Sequence, residues 1–304
     1  MESNNSKKER INNHEKIGPT AWMIAYRRTF SDIPYAQEIF DVVEKIRIDN
    51  NEPSVPDELK KPERSSLFEA RYKLVSRLIS ESNVNQILEI ASGLSPRGLA
   101  MTSDRTVQYV EVDLHGVMNL KRQVAGTLKK HLSTITNLFF EVGDALNRSD
   151  LLRASEHFRK GVPLAIINEG LLAYLTLEEK TILAKNIHEI LSLFGGVWIT
   201  PDIIWPENKK GDTATPDNYM QNMQKLTGAA IGQNRFKSEE EAKIFFENMG
   251  FQVESRPFTE IYDQLTSPKK LGQTAEDVKE IIGSSVAFVM RIKNINPNPI
   301  VISQ

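Results

Sequence analysis

The chain has 304 residues, enough for two average domains or for one α/β domain with insertions. With 40% hydrophobic and 26% charged residues it reads as a soluble globular protein, and no apolar run reaches the roughly 18 residues of a membrane-spanning helix. Thirty-eight Lys and Arg against 40 Asp and Glu leave a net charge of -2, which excludes a global field for nucleic acid or an anionic membrane, and zero cysteines exclude disulfides, thiolate nucleophiles and cysteine-held metals.

Residues 1–17 are polar and rich in Asn, and read as a disordered tail with no signal-peptide apolar stretch, so a cytoplasmic protein is expected. Residues 18–63 read as a helical cover. Trp22, Met23, Tyr26 and Phe30 recur at helical spacing, and Ser31 is placed to cap a second helix bearing Ile39, Phe40, Val43 and Ile46. Pro53, Pro56 and Pro62 mark a surface connection, after which Ser66 and Glu69 have the spacing of a capping box for a helix with Leu67, Val75, Leu78 and Ile79 on one face.

From residue 86 short apolar runs alternate with amphipathic segments. Runs 86–91, 107–112, 138–142, 162–167 and 196–200 read as strands, and this alternation is the signature of a parallel sheet covered by helices on both faces. Thr176 with Glu179, and Ser238 with Glu241, have capping-box spacing ahead of two of these helices; Gly195–Gly196 and Gly250 stop them. Strands 251–258 and 285–292, with a short helix 274–282 between them, close the sheet. The cofactor-binding domain is expected over 64–294, with a tail at 295–304.

In an open α/β sheet ligands bind beyond the carboxyl ends of the strands, so the residues that follow each strand are the candidates. Strand 1 runs into Ala91-Ser92-Gly93-Leu94-Ser95-Pro96-Arg97-Gly98, small residues that let the backbone approach a ligand; the same turn also serves as a plain connection. Strand 2 ends at Asp113, where a carboxylate can accept hydrogen bonds from both hydroxyls of a ribose; alternation puts Val110 and Val112 on one face and Glu111 and Asp113 on the other. Strand 3 ends Gly143-Asp144-Ala145, where Asp144 either accepts from an adenine amino group or caps a turn. Strand 4 runs into Asn168-Glu169-Gly170-Leu171-Leu172-Ala173-Tyr174-Leu175, and a Glu closing an apolar strand must reach solvent or meet a cation.

Arg71, LEIASGLSPRG, VEVDL, GDAL and NEGLLAYL, in this order and spacing, resemble the S-adenosylmethionine-dependent methyltransferases related to leucine carboxyl methyltransferase, including their bacterial O-methyltransferase branch. The resemblance spans about residues 20–292, and EGLLAYL is its most specific part. It implies an α/β fold of class I methyltransferase type: a Rossmann-like seven-stranded sheet with an antiparallel last strand. It implies S-adenosyl-L-methionine as cofactor, with Arg71 on the methionine carboxylate, Gly93 in the cofactor turn, Asp113 on ribose, Asp144 and Ala145 on adenine, and Glu169 at the amino-acid end. Glu89, Ala91, Arg97 and Leu114 complete the implied binding set. The chain departs from the family's turn in having Ala91 at the first Gly and Ser95 at the Asp; Ala91 fits if its φ is negative, and Ser95 removes a charge near the cofactor.

The implied reaction is methyl transfer to a carboxylate or hydroxyl of a small molecule or peptide end. Tyr174 is a weak candidate for a catalytic residue, and a core aromatic beside Leu171 and Leu175 is the favoured reading. Histidines 14, 115, 131, 157 and 188 show no ligand spacing and no metal site is expected; His115 is close enough to Asp113 to touch ribose or act as a base. The acceptor pocket is expected between residues 22–40 and a lid inserted at 201–234, carrying Trp205, Tyr219, Met220 and Met223 behind a Thr215-Pro216 helix start. The insertion's apolar character and the absence of a basic stripe favour a small acceptor over nucleic acid; an oligomeric state is not encoded legibly. Two other classes share parts of this pattern: a NAD-dependent oxidoreductase, which wants a fuller Gly-x-Gly-x-x-Gly turn, and a non-catalytic S-adenosylmethionine-binding protein.

Overall fold

The strand segments are apolar on both sides because both of their faces are covered. The structure, a computed structural model, describes residues 18–52, 57, 60–129, 136–205 and 235–293. Ile87, Tyr109, Ala165, Ile167, Val197 and Ile199 contribute to one core, and their neighbours Leu88, Ile90, Val110, Val112, Leu164, Ile166 and Trp198 to the other. This is the period-two alternation of extended chain sorting side chains to two faces.

The elements in chain order are α1 (Gly18–Arg28), α2 (Ala36–Asp49), α3 (Ser65–Glu81), β1 (Gln86–Ile90), α4 (Arg97–Met101), β2 (Gln108–Asp113), α5 (His115–Lys129), β3 (Leu138–Val142), α6 (Arg148–Ser155), β4 (Leu164–Asn168), α7 (Leu177–Phe194), β5 (Gly196–Thr200), α8 (Glu239–Asn248), β6 (Phe251–Pro257), α9 (Ser267–Leu271), α10 (Ala275–Ile282) and β7 (Val286–Ile292). They form one seven-stranded sheet of order β3-β2-β1-β4-β5-β7-β6. β1 to β5 are parallel, and β7 lies antiparallel between β5 and β6. Crossovers run in opposite directions from β1 and β4, which leaves a crevice at their carboxyl ends. The expected class I methyltransferase architecture, with its N-terminal helical cover and antiparallel last strand, is the one observed.

On the first face, α3 supplies Leu74, Val75, Leu78 and Ile79, and α1 and α2 add Met23, Ile39 and Val43. On the second, α7 supplies Leu183, Ile187, Ile190, Leu191 and Phe194, and α8 adds Ala242 and Phe246. Trp198, fully buried, stacks edge-on against Phe246 at 5.2 Å and Phe251 at 5.5 Å.

The cap assignments fare unevenly. Thr176 and Glu179 form a full capping box on α7. Ser238 accepts from the Glu241 N–H, while the Glu241 carboxylate takes the N–H of Lys237, so only half of that box forms. Ser31 does not cap α2: its Oγ donates to the Arg28 carbonyl and the helix begins after Tyr35, which takes a left-handed φ of 63°. Ser66 and Glu69 do not cap α3 either, since the helix already starts at Ser65; Glu69 is buried and accepts from the backbone N–H groups of Thr266 and Ser267, at the start of α9. The first apolar stripe ends earlier than its periodicity implies, with Phe30 beyond α1.

The expected tails at 1–17 and 295–304, residues 53–56, 58 and 59 of the proline-marked connection, and the lid from 206 to 234 lie outside the described residues; Trp205 is described and buried. Among the described residues no helix is long and apolar enough to cross a membrane.

Candidate functional site

A cleft open to solvent, about 1010 Å³ when the open space at its mouth is counted, lies over the carboxyl ends of β1 to β4, roofed by α1. Its wall includes Glu89, Ala91, Gly93, Asp113, Leu114, Asp144, Ala145, Glu169 and Tyr174, nine of the eleven residues singled out from the sequence. Arg71 and Arg97 are the two that stand off it.

The turn after β1 is held by β2. The Asp113 carboxylate accepts the Gly93 N–H on Oδ2 at 2.7 Å and the Leu114 N–H on Oδ1 at 2.7 Å, while Ser92 N–H donates to the Val112 carbonyl at 3.2 Å. Burial raises the Asp113 pKa, and the two backbone N–H groups pull it back. Each oxygen takes one described donor and keeps further acceptor capacity. Gly93 has φ 53°, in the region that favours glycine. Ala91 does not have the negative φ its Cβ was expected to require: φ is 55°, a left-handed conformation that costs about 1–2 kcal/mol for a residue with a side chain. Such strain, held by surrounding hydrogen bonds, concentrates at ligand turns.

At the end of β3, Asp144 Oδ1 accepts the Leu146 N–H at 2.9 Å and its own N–H donates to Asp150 Oδ2 at 3.0 Å. Asp144 therefore caps a turn and lines the cavity at once.

The Glu that closes β4 does meet cations. Glu169 takes Arg28 Nη2 at 2.6 Å on Oε1 and Arg97 Nη2 at 2.8 Å on Oε2, with Arg71 Nε at 3.8 Å. Arg97, fully buried, is a strut behind the wall: its Nη1 donates to Glu89 Oε1 at 2.7 Å, and Tyr109 OH donates to Glu89 Oε2 at 2.7 Å. Arg71 is turned to Asp202, with Nη2 on Oδ1 at 2.8 Å. Burial would raise the Glu169 pKa, but the guanidinium groups of Arg28, Arg97 and Arg71 hold it down at about 2. Beneath the cluster the Tyr72 ring lies 4.5 Å from Arg97 and 5.7 Å from Arg28; burial pushes its hydroxyl up to about 12. Arg28, Arg71 and Arg97 thus face Glu89, Glu169 and Asp202, a balance without which so much buried charge would be costly. At the cavity itself, Arg28 Nε and Ser92 Oγ are buried without a hydrogen-bond partner among the described residues.

The remaining wall is mostly apolar, with Ala21, Ile24, Val117, Leu146, Leu171 and Leu175 beside the hydroxyl-bearing Thr20 and Ser95. Tyr174, on a single 3-10 turn (Leu172–Tyr174), packs on the core, as its core-aromatic reading expects, and also borders the cavity. His115 is exposed at the start of α5, outside the cavity wall, and His157 is engaged by Glu141 at 2.8 Å. Among the described residues no group of three or more His, Asp or Glu side chains could hold a metal ion.

Arg28 and Asp202 escaped the sequence reading. Asp202 follows β5 at the same rim as the other candidates, a signal that was present. Arg28 and Glu169 are 141 residues apart, and no local pattern joins them.

Comparison with known proteins finds no match among curated sequences. Among solved structures the chain is similar to the methyltransferase domain of bacterial CtHen1-C (13% identity, 73% of this chain and 97% of that one, TM-score 0.48). It is also similar to magnesium protoporphyrin IX methyltransferase from Synechocystis, solved with S-adenosylhomocysteine (11%, 83% and 93%, 0.44), and to human N-acetylserotonin methyltransferase, solved with S-adenosylmethionine (12%, 76% and 56%, 0.43). The family model described as leucine carboxyl methyltransferase matches residues 28–188, more than half of the chain and the stretch that contains every wall residue from Arg28 to Leu175. The chain belongs to the leucine carboxyl methyltransferase family and is an S-adenosylmethionine-dependent methyltransferase.

Proposed function

We propose that the chain transfers the methyl group of S-adenosylmethionine to an oxygen of a carboxylate or hydroxyl on a small molecule or peptide C-terminus. The observation that carries this reading is Asp113: a carboxylate at the cavity wall, braced by two backbone N–H groups, with acceptor capacity left for a vicinal pair of hydroxyls. Arg28 Nε and Ser92 Oγ, buried at the same cavity and without a partner among the described residues, are groups a polar ligand would satisfy. In this assignment Asp113 holds ribose, Asp144 and the backbone of Ala145 meet adenine, and Glu89, Ala91, Gly93 and Leu114 form the wall between. Arg28 and Glu169 face the amino-acid end, which gives Arg28 the role the family resemblance implied for Arg71; Arg71 and Arg97 support Glu169 from behind.

When bound, the cofactor supplies a methyl group already activated as a sulfonium, so the chain's work is to align the acceptor and exclude water. The apolar wall of Ala21, Ile24, Leu171 and Leu175, beside Tyr174, favours a small, partly hydrophobic acceptor. Calorimetry with S-adenosylhomocysteine, S-adenosylmethionine and NAD tests the assignment: the first two are expected to bind and NAD is not, and binding of NAD in their place would overturn it. A labelled-methyl screen over carboxylic acids, phenols and peptide C-termini then identifies the acceptor class.

A further inference from the structure

Asp202 stands just past β5, buried, and outside the cavity wall. Its Oδ1 accepts from Arg71 Nη2 at 2.8 Å and from the Gly170 N–H at 2.7 Å. Its Oδ2 accepts from the Leu171 N–H at 2.7 Å, from Asn168 Nδ2 at 2.9 Å and from the Leu172 N–H at 3.4 Å. The Asp202 N–H in turn donates to Thr200 Oγ1 at 3.3 Å, so the carboxylate is itself anchored to β5. Both oxygens are committed to donors, and only a group with two acceptor oxygens satisfies the set: an amide would set an NH₂ against at least two N–H donors.

Two consequences follow for the cavity. The N–H groups that Asp202 gathers belong to the turn from which Gly170, Leu171 and, two residues past the anchored stretch, Tyr174 form part of the wall. Asp202 also supplies the third carboxylate that balances Arg28, Arg71 and Arg97, so its loss leaves the cluster with one excess positive charge. A buried excess charge beside a ligand site disfavours a cationic ligand more than a neutral one of the same shape.

We propose that Asp202 is a positioning residue for cofactor recognition: it pins the turn at 170–172 and neutralises Arg71, so that the wall and the Arg28–Glu169 pair stand ready at the amino-acid end. The proposal rests on the S-adenosylmethionine reading above.

The test compares the full chain with Asp202→Asn and Asp202→Glu in calorimetric titrations with S-adenosylmethionine and with S-adenosylhomocysteine, alongside hydrogen exchange of individual amides. In Asp202→Asn, S-adenosylhomocysteine binding is expected to weaken about tenfold or more. S-adenosylmethionine, which carries the extra sulfonium charge, is expected to weaken further, and the amides of Gly170 and Leu171 to exchange faster while that of Gly93 does not. Asp202→Glu keeps the charge but displaces it by one methylene, so both ligands should weaken alike. A general packing defect would lower both affinities equally in Asp202→Asn and would not single out these amides. Wild-type affinities and exchange in Asp202→Asn overturn the proposal; should that variant fail to fold, wild-type affinity in a folded Asp202→Glu overturns it equally. Failure of the wild-type chain to bind either ligand instead overturns the cofactor assignment, and the exchange of Gly170 and Leu171 still decides whether Asp202 pins the turn.

Discussion

Asp113 accepts the backbone N–H of Gly93 at 2.7 Å, so the end of β2 and the turn after β1 are one unit across the crevice between them. The bond fixes where the turn's backbone stands, and the carboxylate that makes it is the group assigned to the ribose. On the proposed ribose role, recognition and positioning reside in one side chain.

Asp113→Ala removes both functions. The affinity for S-adenosylhomocysteine is expected to fall about 100-fold or more, the loss of roughly two charge-assisted hydrogen bonds at 1.5–3 kcal/mol each. The fold should persist, because Val110 and Val112 carry the packing of β2 on the second core. Calorimetry and circular dichroism on the same sample check this, and an unchanged affinity would remove Asp113 from the ribose role.

Glu169 makes a pH-dependent contribution whose sign can be stated. Its pKa is about 2 in the fold against an ordinary 4.5, so its ionised form stabilises the fold at pH above 4.5, and that contribution is lost as pH falls from 4.5 through 2. Glu169→Gln leaves Arg28 and Arg97 without their shared partner, and should lower stability at pH 7 by about 3 kcal/mol. The gap between variant and wild type should narrow as pH falls below 4.5 and close near pH 2, where wild-type Glu169 becomes neutral in the fold as well. Denaturant titrations at pH 7, 4 and 3 measure the gap; a gap independent of pH would contradict the ion-pair origin.

What was legible in the sequence follows from what is local. The strands are apolar runs because they are buried on both faces, and Thr176 with Glu179 caps α7 because both partners lie within one turn. Ser31 and Glu69 misled for the opposite reason. Each has the residue type of a cap, but Ser31 bonds backward to Arg28, and Glu69 is drawn to α9, almost two hundred residues away in sequence. The wall residues at the strand ends were legible because topology puts them there. The division between wall and strut was not: Arg97 and Arg71 match a motif as well as Asp113 does, and only the packing shows Arg97 buried behind Glu89 and Arg71 turned to Asp202.

Gly196 opens β5 opposite Leu164, with φ 111°, and a Cβ there would lie 2.0 Å from the Leu164 carbonyl oxygen and 2.6 Å from its nitrogen. Both atoms are backbone in a buried strand, so neither can move without breaking the β4–β5 ladder. Gly196→Ala is expected to cost more than about 2 kcal/mol, from the strained φ together with the clash. A melting curve within a degree of wild type would show that the strand start can relax.

Ala91 offers the converse case. The residue holds φ 55°, for which a side chain costs about 1–2 kcal/mol, whereas glycine there loses about 0.4–1 kcal/mol through the greater freedom of its unfolded chain. The first term exceeds the second, so Ala91→Gly should stabilise the protein by a few tenths to about 1 kcal/mol. The same substitution removes a methyl group from the cavity wall beside Gly93, and cofactor affinity should hold or rise. Thermal melting with and without S-adenosylhomocysteine separates the two effects. A loss of stability would mean that the Ala91 side chain makes packing contacts worth more than the strain it bears, whereas a gain would make Ala91 a point at which this chain tolerates backbone strain.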